Sequence, residues 1–252
     1  MSAPRGIIFD LDDTLAESFK RPSDEMLARL GKLLERLPVA IMTGSGFNRM
    51  ESQFLSVIAA YPRAQEHFYL FPNSSAQCYV LERGQWKQQY NFALTEEERT
   101  RIKTVIEKIV AESGLLRDIP HAGQRLFDRE AQVAFTPVGV DAPLETKQLW
   151  DPGGGKRKFL FDALSQALPE FEVLLGGTTT IDVTRKGINK SYGVQWLSER
   201  LNIPTNEMLY VGDAFNEGGN DRVVMQTGIL TRPVSGPLET AQVIDEILGD
   251  AT

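Results

Sequence analysis

Cysteine is nearly missing from this chain. Cys78 stands alone among 252 residues, which excludes an intramolecular disulfide framework and a cysteine-ligated zinc site and fits a reducing compartment. Histidine is scarce too. His67 and His121 have no metal-spaced partner and read as structural or surface residues, so no Ser-His-Asp arrangement is called for. Basic charge is short: 27 lysines and arginines face 34 acidic residues, a net charge of -7. That argues against binding to nucleic acid or to an anionic membrane, whose partners carry a basic face. No apolar stretch approaches the roughly 20 residues of a membrane span, and no signal-type segment precedes the first apolar strand. A cytoplasmic protein is the expectation. Repeats and low-complexity tracts are absent, while 42% hydrophobic residues supply core for one large or two modest domains.

What the chain does have is an acidic cluster in an unusual place. The apolar run Gly6-Ile7-Ile8-Phe9 reads as a buried parallel strand, and it delivers Asp10-Leu11-Asp12-Asp13-Thr14-Leu15 at its end. In an extended chain residues two apart point the same way, so Asp10 and Asp12 can face one pocket. Carboxylates so close repel. The usual remedy is a hard cation with oxygen ligands, magnesium foremost. A carboxylate neutralised in this way can attack phosphorus, and its neighbour can donate and accept protons. A helix cap or an acidic turn is the plainer use of such aspartates.

Farther along, an apolar stripe from Met26 to Leu37 predicts a helix capped by Asp24 and stopped by Pro38. Val39 to Met42 reads as a strand that ends in Thr43-Gly44-Ser45-Gly46 before a helix from Phe47 to about Ala59. A small polar turn at a helix start is a natural phosphate site. A third strand, Phe68 to Phe71, completes a β-α-β pattern, and hence an open parallel sheet with function at the C-terminal strand ends. The pattern then changes. A hairpin around Arg83-Gly84, the capping box Thr95 to Glu98, an alternating strand from Ala131 to Phe135, a helix from Lys156 to Leu168 and strands at 171–175 and 178–183 describe an α+β insertion over 82–186. Residues 1–81 and 187–252 are then the α/β core, which resumes with Lys190 before a helix. A second strand-end acid follows, Gly212-Asp213, in a loop that finishes Gly218-Gly219-Asn220-Asp221.

Taken together, Asp10-x-Asp12-x-Thr14, Thr43, Lys190, Gly212-Asp213 and Asn220-Asp221 resemble the haloacid dehalogenase superfamily over nearly the whole chain, and the insertion resembles its large α/β cap with an antiparallel sheet. Three stretches are similar to eukaryotic-type phosphomannomutase: Gly44-Ser45-Gly46-Phe47 with Gln53, Gly176-Gly177 through Ile181-Asp182-Val183 to Lys190, and Gly212-Asp213 to Asp221. The resemblance implies a Rossmann-like core with Asp10 as nucleophile and Asp12 as general acid/base. It makes Asp10, the Asp12 backbone carbonyl and Asp213 the magnesium ligands. Thr43 and Lys190 would hold the phosphoryl group, with Gly44 and Ser45 beside it, and Asn220 and Asp221 would orient Lys190 and metal-bound water. In the insertion it assigns Arg129, Thr180 and Asp182 to the substrate.

The chain also departs from that pattern. Where the mutase pattern has arginines, this chain has Val140 after Pro137-Val138-Gly139, and Lys147. Neither valine nor a point-charge lysine replaces an arginine fork on a distal phosphate. The expectation is therefore a magnesium-dependent phosphatase for a small phosphorylated metabolite, a sugar phosphate first, through phospho-Asp10. A hexose phosphomutase activated by a hexose bisphosphate is the near alternative. A non-catalytic module that binds a phosphorylated ligand is the distant one, and it would need a broken catalytic position. Hinge segments are expected at Gln77 to Glu82 and Val183 to Gly187. Gly153-Gly154-Gly155-Lys156 only hints at a phosphate loop, because Trp150 sits where the first glycine is required.

Overall fold

The computed structural model describes residues 3–61, 65, 67–117 and 119–249. In chain order the elements are β1 (Gly6–Asp10), α1 (Asp24–Leu34), β2 (Val39–Met42), α2 (Phe47–Ala60), β3 (Phe68–Phe71), β4 (Gln77–Glu82) and β5 (Gln85–Asn91). Then come α3 (Glu96–Ser113), β6 (Leu126–Asp128), β7 (Val133–Phe135), α4 (Leu144–Trp150), α5 (Gly155–Ala167), β8 (Phe171–Gly176) and β9 (Thr180–Arg185). The chain closes with α6 (Lys190–Leu201), β10 (Met208–Gly212), β11 (Leu230–Pro233) and α7 (Pro237–Leu248). It divides into two units, Met1–Asn91 with Lys190–Thr252, and Phe92–Asn189.

The first unit is an α/β sheet in the order β11-β10-β1-β2-β3-β4-β5. Strands β11 to β3 run parallel, and β4 and β5 add an antiparallel edge. Strand order reverses at β1, whose neighbours β10 and β2 come from opposite ends of the sequence. This is the switch point where open α/β sheets place their sites. Alternation along β1 decides which helices cover which face. Ile7 and Phe9 join the leucines of α1 and Val243, Ile244 and Leu248 of α7, whereas Ile8 packs with Met42, Tyr210, Val194 and Leu197. Asp10 shares parity with Ile8, so it looks toward the α6 face.

Local signals explain most boundaries. Ser23, not Asp24, caps α1: its Oγ accepts from the Met26 N–H at 3.2 Å. The helix ends at Leu34 rather than Leu37, although the Glu35 and Leu37 N–H groups still donate back to the Gly31 and Leu33 carbonyls. The β4–β5 hairpin stays with the core sheet, which puts the first unit boundary after Asn91 instead of after residue 81. Gln77 to Glu82, where a hinge is expected, is therefore a strand, paired with β3 at Tyr79 and Val80 and with β5 along its length. The expected strand at 178–183 begins two residues later, at Thr180.

The second unit is a four-stranded antiparallel sheet, β6-β7-β9-β8. Its helix-covered face buries Val133, Phe135, Ile181 and Val183 against Ile102 and Ile106 of α3 and Leu160 and Leu164 of α5. The Thr95 capping box is present, with the Thr95 N–H donating to Glu98 Oε2 (2.6 Å) and the Glu98 N–H to Thr95 Oγ1 (3.1 Å). The fold is thus a parallel-sheet core with an inserted antiparallel unit. Among the described residues no helix is long and apolar enough to cross a membrane.

Candidate active site

Three adjacent parallel strands end together. Asp10 closes β1, Thr43 follows β2, and Asp213 follows β10, with Asp10 in register with Met42 and Phe9 with Val211. Lys190, the first residue of α6, meets them from the face that Asp10 looks toward: its Nζ donates to Asp10 Oδ1 at 2.5 Å and to Asp221 Oδ1 at 2.7 Å. Two glycines make this approach possible. A Cβ at Gly193 would come within 2.4 Å of Ser75 Oγ, and one at Gly212 within 2.3 Å of Asp221 Oδ2. Opposite α6, the turn after β3 holds Asn73, Ser74 and Ser75 at positive φ, a strain that non-glycine residues accept only where surroundings enforce it. From that turn the Ser74 N–H donates to Thr43 O (2.8 Å) and the Asn73 N–H to Ser45 O (2.9 Å), clamping the polar turn after β2.

Oxygen atoms of Asp10, Asp213 and Asp221 lie within 4.8 Å of one another, and Lys190 is the cation hydrogen-bonded among them. Burial pushes the Asp10 carboxyl up, and the Asp221 and Asp213 charges add to this against the pull of Lys190. Desolvation works against the Lys190 ammonium as well, but Asp10 and Asp221 together outweigh it and hold its pKa above the usual lysine value. Asp213 is pushed up to about 6, first by desolvation and next by Asp221. One ammonium among three acids leaves an excess of negative charge. An all-oxygen donor set with that excess suits a hard divalent cation.

Asp221 is already engaged by protein donors. It is fully buried, its Oδ1 accepts from Lys190 and from the Tyr210 hydroxyl (2.6 Å), and its Oδ2 accepts from the Ala214 N–H (3.1 Å). Asp213 accepts from Thr14 Oγ1 at 3.2 Å. Asp221 is thus hydrogen-bonded to Lys190, which it is expected to orient. Tyr210 was not legible in advance. It is a buried aromatic on a core strand, and only its pairing with Ile8 across β1–β10 places its hydroxyl beneath the network.

The Asp12 carboxylate stands outside the three-acid set and is held from another side. Arg49 grips both its oxygens, Nη2 to Oδ1 at 2.7 Å and Nη1 to Oδ2 at 2.9 Å, and also donates to Ser45 Oγ at 2.5 Å. The Phe19 N–H donates to Oδ1 at 2.8 Å, and Thr43 Oγ1 lies 3.5 Å from Oδ2. Thr43 Oγ1 in turn accepts from the Ser45 N–H (3.1 Å), and Gly44 lies between them in the chain. Arg49 escaped the sequence reading because a cation one turn into a helix looks like any solvated side chain. Its spacing of four from Ser45 is the one hint.

In the inserted unit, Thr180 and Asp182 alternate with the apolar Ile181 and Val183 and so share the face away from the helices. Phe127, Ala134 and Asp182 form one row across β6, β7 and β9 on that face. The Arg129 guanidinium lies 5.4 Å from the Phe127 ring centroid and donates to Gln132 Oε1 at 3.1 Å. The sheet thus gathers Arg129, Thr180 and Asp182 on one polar face. The Gly153 to Lys156 turn is no phosphate loop: Asp151 fills the start of α5, accepting from the Lys156 and Arg157 N–H groups at 3.1 and 2.8 Å.

The family model for eukaryotic phosphomannomutase matches residues 26–250. The chain belongs to this family. Phosphomannomutase of Saccharomyces cerevisiae is 23% identical over 248 residues, covering 96% of this chain and 93% of its own, and that of Spinacia oleracea is 24% identical, covering 98% of each. Among solved structures, the N-terminally truncated, IMP-bound IMP-nucleotidase of Plasmodium falciparum aligns with a TM-score of 0.71 at 17% identity, over 97% of this chain and 68% of that one. The C-terminal domain of Candida albicans trehalose-6-phosphate phosphatase aligns with 0.67 at 13%, over 99% and 94%. These likenesses establish the fold, and the family match makes the chain a phosphotransferase of the haloacid dehalogenase type. At the two positions where it departs from the phosphomannomutase pattern, Lys147 is buried and its Nζ donates to the Val140 carbonyl at 2.8 Å. The two positions are joined to each other.

Proposed function

We propose that this phosphomannomutase-family protein is a magnesium-dependent phosphatase of a small phosphorylated metabolite, a sugar phosphate first, acting through phospho-Asp10. The carrying observation is the hydrogen bond from Lys190 to Asp10 across 180 residues of sequence, with Asp221 and Asp213 around it. Lys190 occupies Asp10 Oδ1 and leaves Oδ2 to attack phosphorus. As the new P–O bond forms, the bond to the ester oxygen breaks, and that oxygen takes a proton from Asp12. A water then attacks the phosphoryl group, gives its proton to Asp12, and the P–O bond to Asp10 breaks to release phosphate. Thr43 and Lys190 hold the transferring oxygens. Asp10, Asp213 and the Asp12 carbonyl would hold the magnesium ion, whose charge offsets that of the acids and polarises a phosphoryl oxygen. Arg129, Thr180 and Asp182 would meet the sugar. The lone buried Cys78 suits a cytoplasmic location.

Hydrolysis is favoured over mutase chemistry by Lys147. A mutase must seat either phosphate of a bisphosphate at a distal site, and here the lysine is turned onto a backbone carbonyl beside a valine. The second reading, a hexose phosphomutase, is supported by the family match itself. A panel of sugar phosphates with magnesium separates them: phosphate release without added hexose bisphosphate is expected. Conversion of a hexose 1-phosphate to the 6-phosphate that requires the bisphosphate and frees little phosphate would hand the case to the mutase. Asp10→Asn should lower turnover by at least roughly 10⁴-fold. Unchanged turnover would end the nucleophile assignment, and a parent protein that turns over no ester of the panel would be the non-catalytic module.

A further inference from the structure

We infer that Arg49 is a positioning residue that fixes the direction of the Asp12 carboxylate. The inference rests on the reading of Asp12 as general acid/base. A guanidinium bound to both oxygens of a carboxylate sets its plane as well as its place, which a single hydrogen bond cannot do. Arg49 makes that fork with Asp12, and both side chains are 23% exposed, far enough from bulk water for the pair to hold. The fork is itself held. Nη1 reaches Ser45 Oγ in the turn after β2, Nη2 lies 3.5 Å from the Lys20 carbonyl, and the guanidinium lies 5.6 Å from the Phe19 ring centroid.

The loop is shaped to receive this grip. Phe19 takes a positive φ of 63°, and its N–H then points at the same Asp12 oxygen that Nη2 binds. Gln53, one turn farther along α2 on the same side, donates to the Lys20 carbonyl at 3.4 Å. The Asp12 side chain is thereby tied to two segments, its own loop and the first turn of α2. Because the fork is engaged with Asp12, Arg49 acts on the reaction through that carboxylate and not as a hand on the phosphate.

Leaving-group chemistry separates those two roles. In a hexose 6-phosphate the departing alkoxide needs the Asp12 proton, whereas the 4-nitrophenolate of 4-nitrophenyl phosphate departs without one. The quantity to measure is kcat/KM, which covers only the steps up to phospho-Asp10. Arg49→Met should lower kcat/KM for the hexose phosphate by about 10²-fold and change that for the aryl ester by less than about 3-fold. In an Asp12→Asn background the same change should add nothing, the signature of two residues acting as one unit. Arg49→Lys, which keeps charge and stem but loses the fork, should recover only part of the hexose phosphate activity and guards against a Met variant that fails to fold. Equal losses on the two esters, or losses that add in the double variant, would overturn the inference. Full hexose phosphate turnover by Asp12→Asn would instead strike the acid/base reading itself. Loss in Asp12→Asn without loss in Arg49→Met would leave that reading standing and remove Arg49 alone.

Discussion

Lys190 and Lys147 are both buried, yet they are used in opposite ways. In the core unit Lys190 donates to two carboxylates that lie 180 and 31 residues away in sequence. In the inserted unit Lys147 donates to a backbone carbonyl seven residues back. Lys147 thus meets a neutral carbonyl, whereas around Lys190 a third acid, Asp213, comes to a place with a single ammonium. A protein keeps such an imbalance where a ligand will correct it, since buried charges left to themselves cost stability. Elsewhere in the inserted unit arginines and lysines are matched by carboxylates, Arg185 with Glu98 and both Arg99 and Lys103 with Asp128. The comparison sets a cluster with unbalanced charge in the core against matched ion pairs in the insert, where the Arg129 guanidinium lies over the Phe127 ring.

The strongest way to break this comparison is to remove the ammonium from the core. Lys190→Met leaves Asp10 and Asp221 facing each other without a cation. A loss of about 3–5 kcal/mol of stability is expected for a buried pair broken on one side, along with a fall of roughly 10²- to 10³-fold in kcat. Magnesium should restore part of the melting temperature and little of the turnover. A variant as stable and active as the parent would mean that the network is ornamental.

Next in size is the pH dependence set by Asp213. Its carboxyl sits at about 6 against an unfolded value of about 3.9, so between these values the folded protein holds a proton that the unfolded chain has lost. With chelator present, this group makes stability fall as pH rises through that window and level off above it. A divalent ion competes for the same oxygens. Its apparent affinity should rise by up to about tenfold per pH unit below 6 and flatten beyond. Calorimetric titration of magnesium at pH 5 and 7, with Asp213→Asn as control, checks both signs. Equal affinity at the two values would sink the assignment of Asp213 as a ligand.

How much of this was legible beforehand follows from where each signal lay. Asp10, Thr43 and Asp213 stand at strand ends that apolar runs announce, and the resemblance to a known family singled out Lys190 at a helix start. Tyr210 and Arg49 were hidden because their neighbours in space come from other elements: an aromatic on a buried strand reads as core, and a cation on a helix reads as surface. The turn at Asn73, Ser74 and Ser75 carries no glycine to announce its left-handed backbone. Strand β5 reads as polar and half-exposed, so nothing local assigned it to the core sheet. Its membership is a property of the pairing with β4.

The smallest effect tests the other half of the comparison. If Lys147 is purely architectural, Lys147→Met removes the donor to the Val140 carbonyl and leaves an acceptor to find water, a loss of about 1–3 kcal/mol. KM for a sugar phosphate should then stay within about 2-fold, a change of less than about 0.5 kcal/mol in binding. If the lysine instead leaves Val140 to contact a distal phosphate during turnover, the pattern inverts: stability changes little, and KM climbs for a bisphosphate far more than for a monophosphate. Melting curves beside kcat and KM on both kinds of ester distinguish the two. The inverted result would also undo the preference for hydrolysis, because a lysine able to reach a second phosphate restores part of what a mutase needs.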